Sequence, residues 1–317
     1  MMNKSEIVDC LTHIQRYSSL IHKSEQLTRM YFDREIYLRG VIEFSNICIR
    51  NCLYCGLRRD NSKLKRYRMS MSEIDKTAQK IIEKGIKTVI LQSGDDPGIK
   101  AKDLAKVIKL IKKRAPAVAI TLSIGERSFD EYRCLRDSGA DRYLLKHETA
   151  NSKLYAYLHP SQKLKQRIKT LLFLKKIGYQ IGSGNIIGLP GQTPEDLAED
   201  ILLMKNLAVD MAAVGPFFAQ SQTPLANYPS PNVLLVYQVI ALTRILLGKI
   251  NIPATTALAT LGQKKAVIEA FKAGANVIMC NFTPANYRKN YKIYDHKNSL
   301  TFTQIKSLLN LTNKEWV

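Results

Sequence analysis

The chain has 317 residues, of which 45% are hydrophobic, and its 48 lysines and arginines against 27 aspartates and glutamates give a net charge of +21 at pH 7. This length and composition exclude a disordered chain and fit one large α/β domain, or two small ones, with a sizeable core. The cations are scattered in short groups such as residues 112–114. A solvated basic surface is therefore favoured over a nucleic-acid or membrane-binding surface.

The cysteine count and the apolar runs predict where the protein works. Three of the six cysteines fall within eight residues, which suits a metal motif in a reducing cytoplasm better than a secreted disulfide scaffold. Residues 1–10 lack the apolar segment of a signal peptide. The longest apolar run, 233–243, is too short to cross a bilayer. We expect a soluble cytoplasmic protein without a membrane partner.

The chain divides into three predicted parts. Residues 1–36 are expected to form a short helical extension that covers one end of the main domain, with Ile7, Leu11 and Ile14 at helical spacing. In residues 37–297 short apolar runs alternate with amphipathic segments. Residues 298–317 are expected to form a terminal helix or tail without a ligand set for a second metal cluster. The predicted strands are 41–45, 88–92, 117–122, 142–146, 180–187, 211–215, 253–257 and 276–280.

The alternation of strands and helices predicts the fold class. Helix, glycine and strand follow one another at Gly85, Gly139, Gly178 and Gly274, where glycine suits the left-handed end of a helix. Eight strands alternating with helices predict an α/β fold, a complete (β/α)8 TIM-type barrel, with an open doubly wound sheet as the alternative. Because barrel enzymes place their active sites at the carboxyl ends of the strands, the residues that follow each strand are the candidates for chemistry.

The first predicted strand leads directly into Cys48, Cys52 and Cys55, spaced as CxxxCxxC. Thiolates favour iron–sulfur clusters, zinc and copper(I). A 4Fe–4S cubane normally takes four cysteines, so three would leave one iron open for a reactant. Structural zinc would need a fourth ligand in paired spacing, and a chance grouping of these cysteines is the remaining alternative.

The motif, with Tyr54 before its last cysteine, resembles that of radical S-adenosylmethionine (SAM) enzymes. The strings IEFSN at 42–46, GLRRDN at 56–61 and KRYRM at 65–69 resemble more narrowly the HydE family of FeFe-hydrogenase maturases. This similarity runs over about residues 37–294. It implies one 4Fe–4S cluster held by the three cysteines, and reductive cleavage of SAM to a 5′-deoxyadenosyl radical.

The resemblance also implies a set of SAM-binding residues. The backbone and side chain around Asp95 would bind the amino group of SAM. Glu148 would bind its ribose hydroxyls and Arg167 its carboxylate, while an apolar edge would pack on its adenine. From the residues alone, 92–97 is equally a turn, and Glu126 and Arg167 are equally surface charges of helices. His147 is given no role. The implied residues are Tyr54, Ser93, Gly94, Asp95, Glu126, Glu148, Arg167, Ile187, Gly188 and Leu189.

The substrate cavity is expected among Lys146, Thr256, Tyr287 and Arg288. Lys146 departs from the arginine expected in close relatives, which puts a bidentate anion contact in doubt. Tyr287 and Arg288 are equally the packed face of a helix. The family's substrate would be an iron–cysteine–carbonyl–cyanide precursor of the hydrogenase cluster. An electron donor and other maturation proteins would be partners of a monomer.

Two competing functions remain at this stage. The first is a radical SAM mutase or synthase of a small molecule, resembling methylornithine synthase or biotin synthase. The second is a basic nucleic-acid-binding module whose cluster is structural. The second would require a continuous basic stripe with stacking aromatic residues, and the sequence has none in order along the chain.

Overall fold

The computed structural model describes residues 2–317, and each of the eight predicted strands has a counterpart in the barrel. The predicted strands 180–187 and 211–215 are each divided into two short strands, and the strands predicted at 142–146 and 253–257 end two and three residues early. The elements in chain order are α1 (Lys4–Thr12), α2 (Tyr17–Phe32), β1 (Glu35–Ser45), α3 (Met71–Glu83), β2 (Thr88–Ser93), α4 (Ala101–Arg114), β3 (Ala119–Ser123), α5 (Phe129–Asp137), β4 (Arg142–Leu144), α6 (Ser152–Leu158), α7 (Leu164–Lys176), β5 (Gln180–Ser183), β6 (Ile186–Ile187), α8 (Pro194–Asn206), β7 (Met211–Ala212), β8 (Gly215–Pro216), α9 (Val233–Leu247), β9 (Pro253–Ala254), α10 (Thr256–Lys272), β10 (Val277–Asn281), α11 (Ala285–Arg288), α12 (Phe302–Leu311) and β11 (Glu315–Trp316).

Eight parallel strands form the barrel. Their spatial order is β7-β5-β4-β3-β2-β1-β10-β9. Hydrogen bonds between Asn251, just before β9, and the backbone of Asp210 and Ala212 join the two ends of this sheet. The short strands β6 and β8 pair with each other. The predicted (β/α)8 barrel is therefore confirmed, and the open doubly wound sheet is excluded.

Local sequence signals mark both ends of the helices, and the predicted glycine stops are confirmed. Gly85, Gly139, Gly178 and Gly274 all have positive φ, between 76° and 119°, at the points where helices give way to strands. Ser70 and Glu73 form a capping box at the start of α3. These stops fix the lengths of the helices, so each returns the chain to the amino-terminal end of the barrel.

The two faces of β1 have different environments. A Cβ on Gly40 would lie 2.5 Å from Cγ2 of Ile81 on α3, so the even-numbered residues of β1 face the helices. They include Ile42 and Phe44, which belong to the main hydrophobic core. Odd-numbered residues therefore face the barrel interior, because side chains alternate along a strand. Glu43 is one of them, and it is 3% exposed.

The ends of the chain differ from their predicted arrangement. The amino-terminal helices pack along the outer helices α8, α9 and α10. Ile14 is exposed because it lies in a 3₁₀ turn between α1 and α2. Strand β1 begins at Glu35, six residues before its predicted start, and there it pairs with β11 near the carboxyl terminus. None of the helices formed by residues 2–317 combines the length and apolar composition that a membrane crossing requires.

Candidate functional site

The three motif cysteines lie on one loop at the carboxyl end of β1. This loop, residues 46–69, returns to the strand where the Met69 N–H donates to the Phe44 carbonyl at 2.8 Å. Cys48, Cys52 and Cys55 are all half-buried and free of disulfide bonds. The other three cysteines lie elsewhere, on α1, α5 and β10.

Two polar side chains hold the loop in shape. The Asn46 amide donates to the carbonyls of Lys65 and Asn290 and accepts from the Tyr67 N–H at 2.7 Å. The Arg66 guanidinium donates to four carbonyl groups, which belong to Asn46, Leu57, Arg58 and Asn61. The sequence strings around the motif are therefore the internal scaffold of the cysteine loop.

Two glycines allow neighbouring backbone to approach the loop closely. A Cβ on Gly56 would lie 2.0 Å from the Lys292 carbonyl oxygen, and the Gly56 N–H donates to the Ile293 carbonyl at 2.9 Å. A Cβ on Gly94 would lie 2.3 Å from the Ile47 carbonyl oxygen. No other residue type fits such contacts without moving the backbone. The segments after β2 and around residue 292 are thus packed directly on the cysteine loop.

Burial sets the chemistry of the three thiols. It raises the pKa of Cys48 and Cys55, and it raises the pKa of Cys52 to about 12. The Cys48 sulfur accepts a weak bond from the Arg50 N–H at 3.4 Å, and Gln162 Nε2 lies 3.8 Å from the Cys52 sulfur. A buried thiol of this kind deprotonates when a metal supplies the compensating positive charge.

The arrangement of the three thiols is compatible with a cluster. Among residues 2–317 no three histidine, cysteine or acidic side chains converge as the ligands of one metal ion would. A cubane does not need such convergence, because each thiolate binds a different iron. Three half-buried thiols on one loop, with neighbouring N–H donors, therefore suit an iron–sulfur cluster.

A chain of alternating charges runs from the cysteine loop across the rim of the barrel. Arg50 Nε lies 2.6 Å from Asp95 Oδ2, and Arg50 Nη2 lies 3.0 Å from Glu126 Oε2. Arg167 Nε lies 2.9 Å from Glu126 Oε1. All four side chains are at least about two-thirds buried, so these ion pairs are only weakly screened by solvent. These ion pairs bring together three of the residues predicted for SAM binding, which are Asp95, Glu126 and Arg167.

Arg167 keeps part of its hydrogen-bonding capacity. Besides Glu126, it donates to the Lys146 carbonyl at 2.8 Å and to Gln162 Oε1 at 3.1 Å. A guanidinium has five N–H groups, so two remain for a further anion. Arg167, the residue predicted to bind a carboxylate, is thus held in place by three partners. Its two remaining N–H groups can still bind a carboxylate.

Glu148 adopts an unusual backbone conformation after β4. Its φ is +64°, a region that non-glycine residues rarely occupy. Hydrogen bonds to Gly184 and Ile186 on both sides of the residue hold it there. Burial alone would raise the pKa of Glu148, but the Lys146 ammonium, 2.9 Å away, lowers it. Glu148 is therefore an ionised carboxylate held in one position. A strained backbone conformation that the surrounding structure maintains is typical of functional sites.

A buried polar network lies beneath Glu148. Asp200 accepts from the Ala150 N–H and from Asn185 Nδ2, and its Oδ1 lies 3.6 Å from His147 Nε2. His147 Nδ1 lies 3.0 Å from the Ser183 hydroxyl. These groups fix the loops after β4 and β5.

Tyr54 has a partner that the sequence did not predict. Its hydroxyl lies 2.8 Å from His159 Nε2, and His159 Nδ1 lies 2.8 Å from the Tyr155 carbonyl. A carbonyl only accepts, so Nδ1 carries the proton and Nε2 accepts from Tyr54. Burial lowers the pKa of His159 to about 4, which keeps the imidazole neutral. This neutral histidine fixes the aromatic ring that precedes Cys55.

The depressed pKa of His159 predicts a pH dependence of stability. An unfolded histidine titrates near 6.5, so protonation favours the unfolded state as the pH falls below that value. Between pH 7.5 and 5.5 we expect the wild type to lose about 1 kcal/mol more stability than His159→Gln, which cannot titrate. Urea unfolding of the reconstituted proteins at several pH values measures this difference. If the free energy of unfolding changed equally with pH in the two proteins, His159 would not be a neutral, buried histidine.

The loop after β5 completes an apolar wall. Leu189 is buried with Leu158 and Phe217, and Tyr54 packs against the same cluster. Ile187 is also fully buried, and Gly188 turns the chain with a φ of +86°. The predicted adenine-binding segment therefore lies beside the predicted aromatic residue of the motif.

A separate groove of about 1170 Å³ opens beside the cysteine loop. Its walls come from the start of α10 and from residues 285–299, and they include Arg288, Tyr291 and Lys297. Lys297 pairs with Glu43, which faces the barrel interior. Tyr291 is buried against Leu57 and Leu64 of the cysteine loop. One residue of the groove wall is thus paired with a carboxylate of the barrel interior.

Of the residues predicted for the substrate cavity, only Arg288 lines this groove. Lys146 pairs with Glu148 instead. The Tyr287 hydroxyl donates to Glu73 on α3, so this side chain lies outside the groove lining. Thr256 is the first residue of α10, which begins earlier than predicted because Thr255 caps the helix. The helix at 285–288 is a single turn, so Tyr291 lies beyond it.

Comparison with known proteins agrees with this geometry. A family model described as the radical SAM superfamily matches residues 42–204, about half of the chain. The [FeFe] hydrogenase maturase subunit HydE of Thermotoga maritima is 46% identical over 281 residues, which cover 88% of this chain and 79% of that protein.

The chain belongs to the radical SAM superfamily and, within it, to the HydE family.

More distant radical SAM proteins share the fold. The 3-methylornithine synthase of Methanosarcina acetivorans is 27% identical over 83% of this chain and 74% of its own. The crystal structure of methylornithine synthase (PylB) has a TM-score of 0.88 at 23% identity and covers 100% of this chain and 94% of that one. The FeFe-hydrogenase maturase HydG from Carboxydothermus hydrogenoformans gives 0.88 at 21% identity, covering 99% and 76%. At these identities the two structures show the barrel fold alone.

Several site residues of this radical SAM barrel had no signal in the sequence. Arg50 is one of the three residues between Cys48 and Cys52 that the motif does not specify, and its charge was the only hint of a role. Gln162 and His159 reach the motif from the segment after α6, and Lys297 reaches Glu43 from 254 positions away. Local periodicity does not report such long-range contacts.

Proposed function

We propose that this protein cleaves SAM reductively in the maturation of FeFe-hydrogenase, as a HydE-type enzyme. One observation carries the proposal. The cysteine loop and the charge chain from Asp95 through Arg50 and Glu126 to Arg167 meet at the carboxyl end of one barrel. The 46% identity to a HydE protein supports the pathway assignment.

The first part of the site is the cluster position. Cys48, Cys52 and Cys55 would hold one 4Fe–4S cluster, and three ligands leave one iron for SAM. When bound, the cluster supplies the electron that cleaves the sulfonium of SAM and yields the 5′-deoxyadenosyl radical. The loop scaffold of Asn46 and Arg66 would keep the thiols in place, and the surrounding apolar side chains would limit the access of water.

The second part is the SAM position. The carbonyls near Gly94 and the Asp95 carboxylate would accept from the SAM ammonium, with the Ser93 hydroxyl already turned to the Gly94 carbonyl at 2.7 Å. The two spare N–H groups of Arg167 would receive the methionine carboxylate, and Glu126 would orient Arg167. Glu148 would accept from the ribose hydroxyls. The adenine would pack against Tyr54 and the segment Ile187, Gly188 and Leu189.

The third part is the substrate path. We assign the groove at Arg288 and Lys297 to an anionic substrate, of which an iron–cysteine–carbonyl–cyanide complex is the family's example. Four cations line the groove, and three of them, Arg288, Lys289 and Lys292, are outside the ion pairs of the described residues, which suits an anion. Lys297 is paired with Glu43 inside the barrel. Lys146 and Thr256 would face the bound substrate from the rim, whereas Tyr287 would support the groove from outside. The protein would act as a monomer with other maturation proteins and an electron donor.

Arg288→Ala separates substrate binding from SAM cleavage. Arg288 is exposed on the groove wall, and the ion pairs of the described residues do not include it. We expect about a tenfold loss of substrate-dependent product, since a charged hydrogen bond contributes roughly 1.5 kcal/mol. Uncoupled formation of 5′-deoxyadenosine without substrate should stay unchanged. Equal substrate turnover by the wild type and Arg288→Ala would show that Arg288 does not contribute to substrate binding.

A maturation assay tests the pathway. Hydrogenase apoprotein is incubated with the other maturation proteins, SAM and reductant, with this protein as the HydE component. We expect hydrogenase activity that depends on adding it and that is absent with Cys52→Ser. SAM cleavage without any gain of hydrogenase activity would support a radical SAM enzyme of another pathway and overturn the maturation assignment.

A further inference from the structure

Two exposed segments meet over the cysteine loop. One is residues 56–66 of the loop itself, and the other is residues 285–293, which follow β10. Asn46 joins them by donating to the carbonyls of Lys65 and Asn290. Gly56 joins them again through its 2.9 Å bond to the Ile293 carbonyl. The two segments therefore form one continuous surface beside the motif cysteines.

This surface is more basic than the protein as a whole. Its only exposed carboxylate is Asp60, which already pairs with Arg59. The whole chain has 48 basic residues to 27 acidic ones, so the ratio of six to one on this surface is a local concentration of charge. We call it the basic face, and its six exposed cations are Arg59, Lys63, Lys65, Arg288, Lys289 and Lys292.

The basic face lies close to the thiols. Leu57, Leu64 and Tyr291 are buried beneath it, and Cys48 and Cys55 pack against this same small cluster. One layer of side chains thus separates the face from two of the three cluster ligands. On the other side, Gln162 approaches Cys52, and there the loop meets the residues assigned to SAM.

We propose that the basic face docks an acidic one-electron carrier protein that reduces the cluster. The proposal rests on the proposed function, because it presumes a cluster at the three cysteines. In this step one electron leaves the reduced carrier and enters the cluster. The carrier is oxidised by one electron, the cluster is reduced by one, and no atom is transferred.

The chemistry of the face favours a protein carrier over a nucleic acid. Electron-transfer complexes bury small interfaces and rely on electrostatic steering for rapid association. Binding of single-stranded nucleic acid requires exposed aromatic rings for stacking. Here Tyr291 is buried, and Tyr287 packs on Tyr67 and donates to Glu73. The face therefore offers charge without a stacking platform.

The test compares two charge-reversed proteins. The first carries Arg59→Glu, Lys63→Glu and Lys65→Glu, three exposed cations of the basic face that lie outside the groove assigned to the substrate. The control carries Lys109→Glu, Lys113→Glu and Lys176→Glu, three exposed lysines near the carboxyl ends of α4 and α7, at the opposite end of the barrel. Both sets change the net charge equally. Formation of 5′-deoxyadenosine by the reconstituted proteins is measured with reduced acidic flavodoxin and, separately, with dithionite. The Kd of each protein for oxidised flavodoxin is measured as well, and at low ionic strength it should rise at least about 10-fold in the face variant but not in the control.

With limiting flavodoxin at low ionic strength, we expect the face variant to react at least about 10-fold more slowly than the wild type. The difference should shrink at about 0.5 M salt, where charges are screened within a few ångströms. Rates with dithionite should be equal in all three proteins, and the control variant should match the wild type with both reductants. A variant with glutamines at the three positions should lie between the wild type and the face variant.

Three results would overturn the proposal. The flavodoxin rate could be unchanged in the face variant, or it could fall as far in the control, which would indicate bulk charge alone. Thirdly, the wild type could bind single-stranded RNA tightly and lose that binding in the face variant, with the flavodoxin rate unaffected. A wild type that fails to cleave SAM even with dithionite would instead reject the proposed function.

Discussion

Cys52→Ser is expected to bring reductive SAM cleavage below detection. Burial raises the pKa of the Cys52 thiol to about 12, so this position deprotonates only when a metal compensates the charge. A serine hydroxyl is a harder and more basic ligand than a thiol and does not replace it at a soft iron site. The reconstituted variant should hold substantially less iron and sulfide and form no 5′-deoxyadenosine.

Cys134→Ser is the matched control for this change. Cys134 is also half-buried and free, but it lies on α5 outside the cysteine loop. The control should retain the iron content and SAM cleavage of the wild type. Full cleavage by Cys52→Ser with four irons per chain would show that the motif has been misread.

Arg167→Leu should raise the KM for SAM about 100-fold. Losing two charge-assisted hydrogen bonds to a carboxylate costs roughly 3 kcal/mol, and each 1.4 kcal/mol is a factor of ten in affinity. Glu126 would keep only Arg50 as a partner, so the thermal stability should fall as well. SAM titrations of the reconstituted protein, read by initial rates, measure the change.

Two further variants separate the geometry of Arg167 from its charge. Arg167→Lys keeps the charge but loses the planar fork, so it should recover only part of the affinity. Lys169→Gln removes an exposed cation from the same helix and should leave the KM unchanged. If Lys169→Gln raised the KM for SAM as much as Arg167→Leu did, general attraction of SAM to a basic surface would explain the result better than a specific carboxylate site.

The sequence predicted the parts of this protein that depend on local chemistry. The glycines that end helices and the alternation of short strands each act within a few residues, and each of the eight predicted strands has a counterpart in the barrel. Because a parallel barrel gathers its strand ends at one rim, placing Asp95, Glu126 and Glu148 after strands was enough to bring them near the cysteines.

The contacts that complete the site join residues far apart in the chain. Tyr54 and His159 are 105 positions apart, and Glu43 and Lys297 are 254 apart. No periodicity reports such pairs, because they depend on where a loop or a terminal segment comes to rest on the finished barrel. For the same reason Arg288 lines the groove while the adjacent Tyr287 turns away to Glu73.

The central claim is that the three cysteines hold a cluster that binds and cleaves SAM. Anaerobic reconstitution with iron and sulfide, followed by EPR spectroscopy of the reduced protein with and without SAM, tests it most directly. We predict a 4Fe–4S signal that changes when SAM is added, together with 5′-deoxyadenosine as a product. A cluster signal indifferent to SAM, or a colourless protein that binds zinc, would contradict the claim.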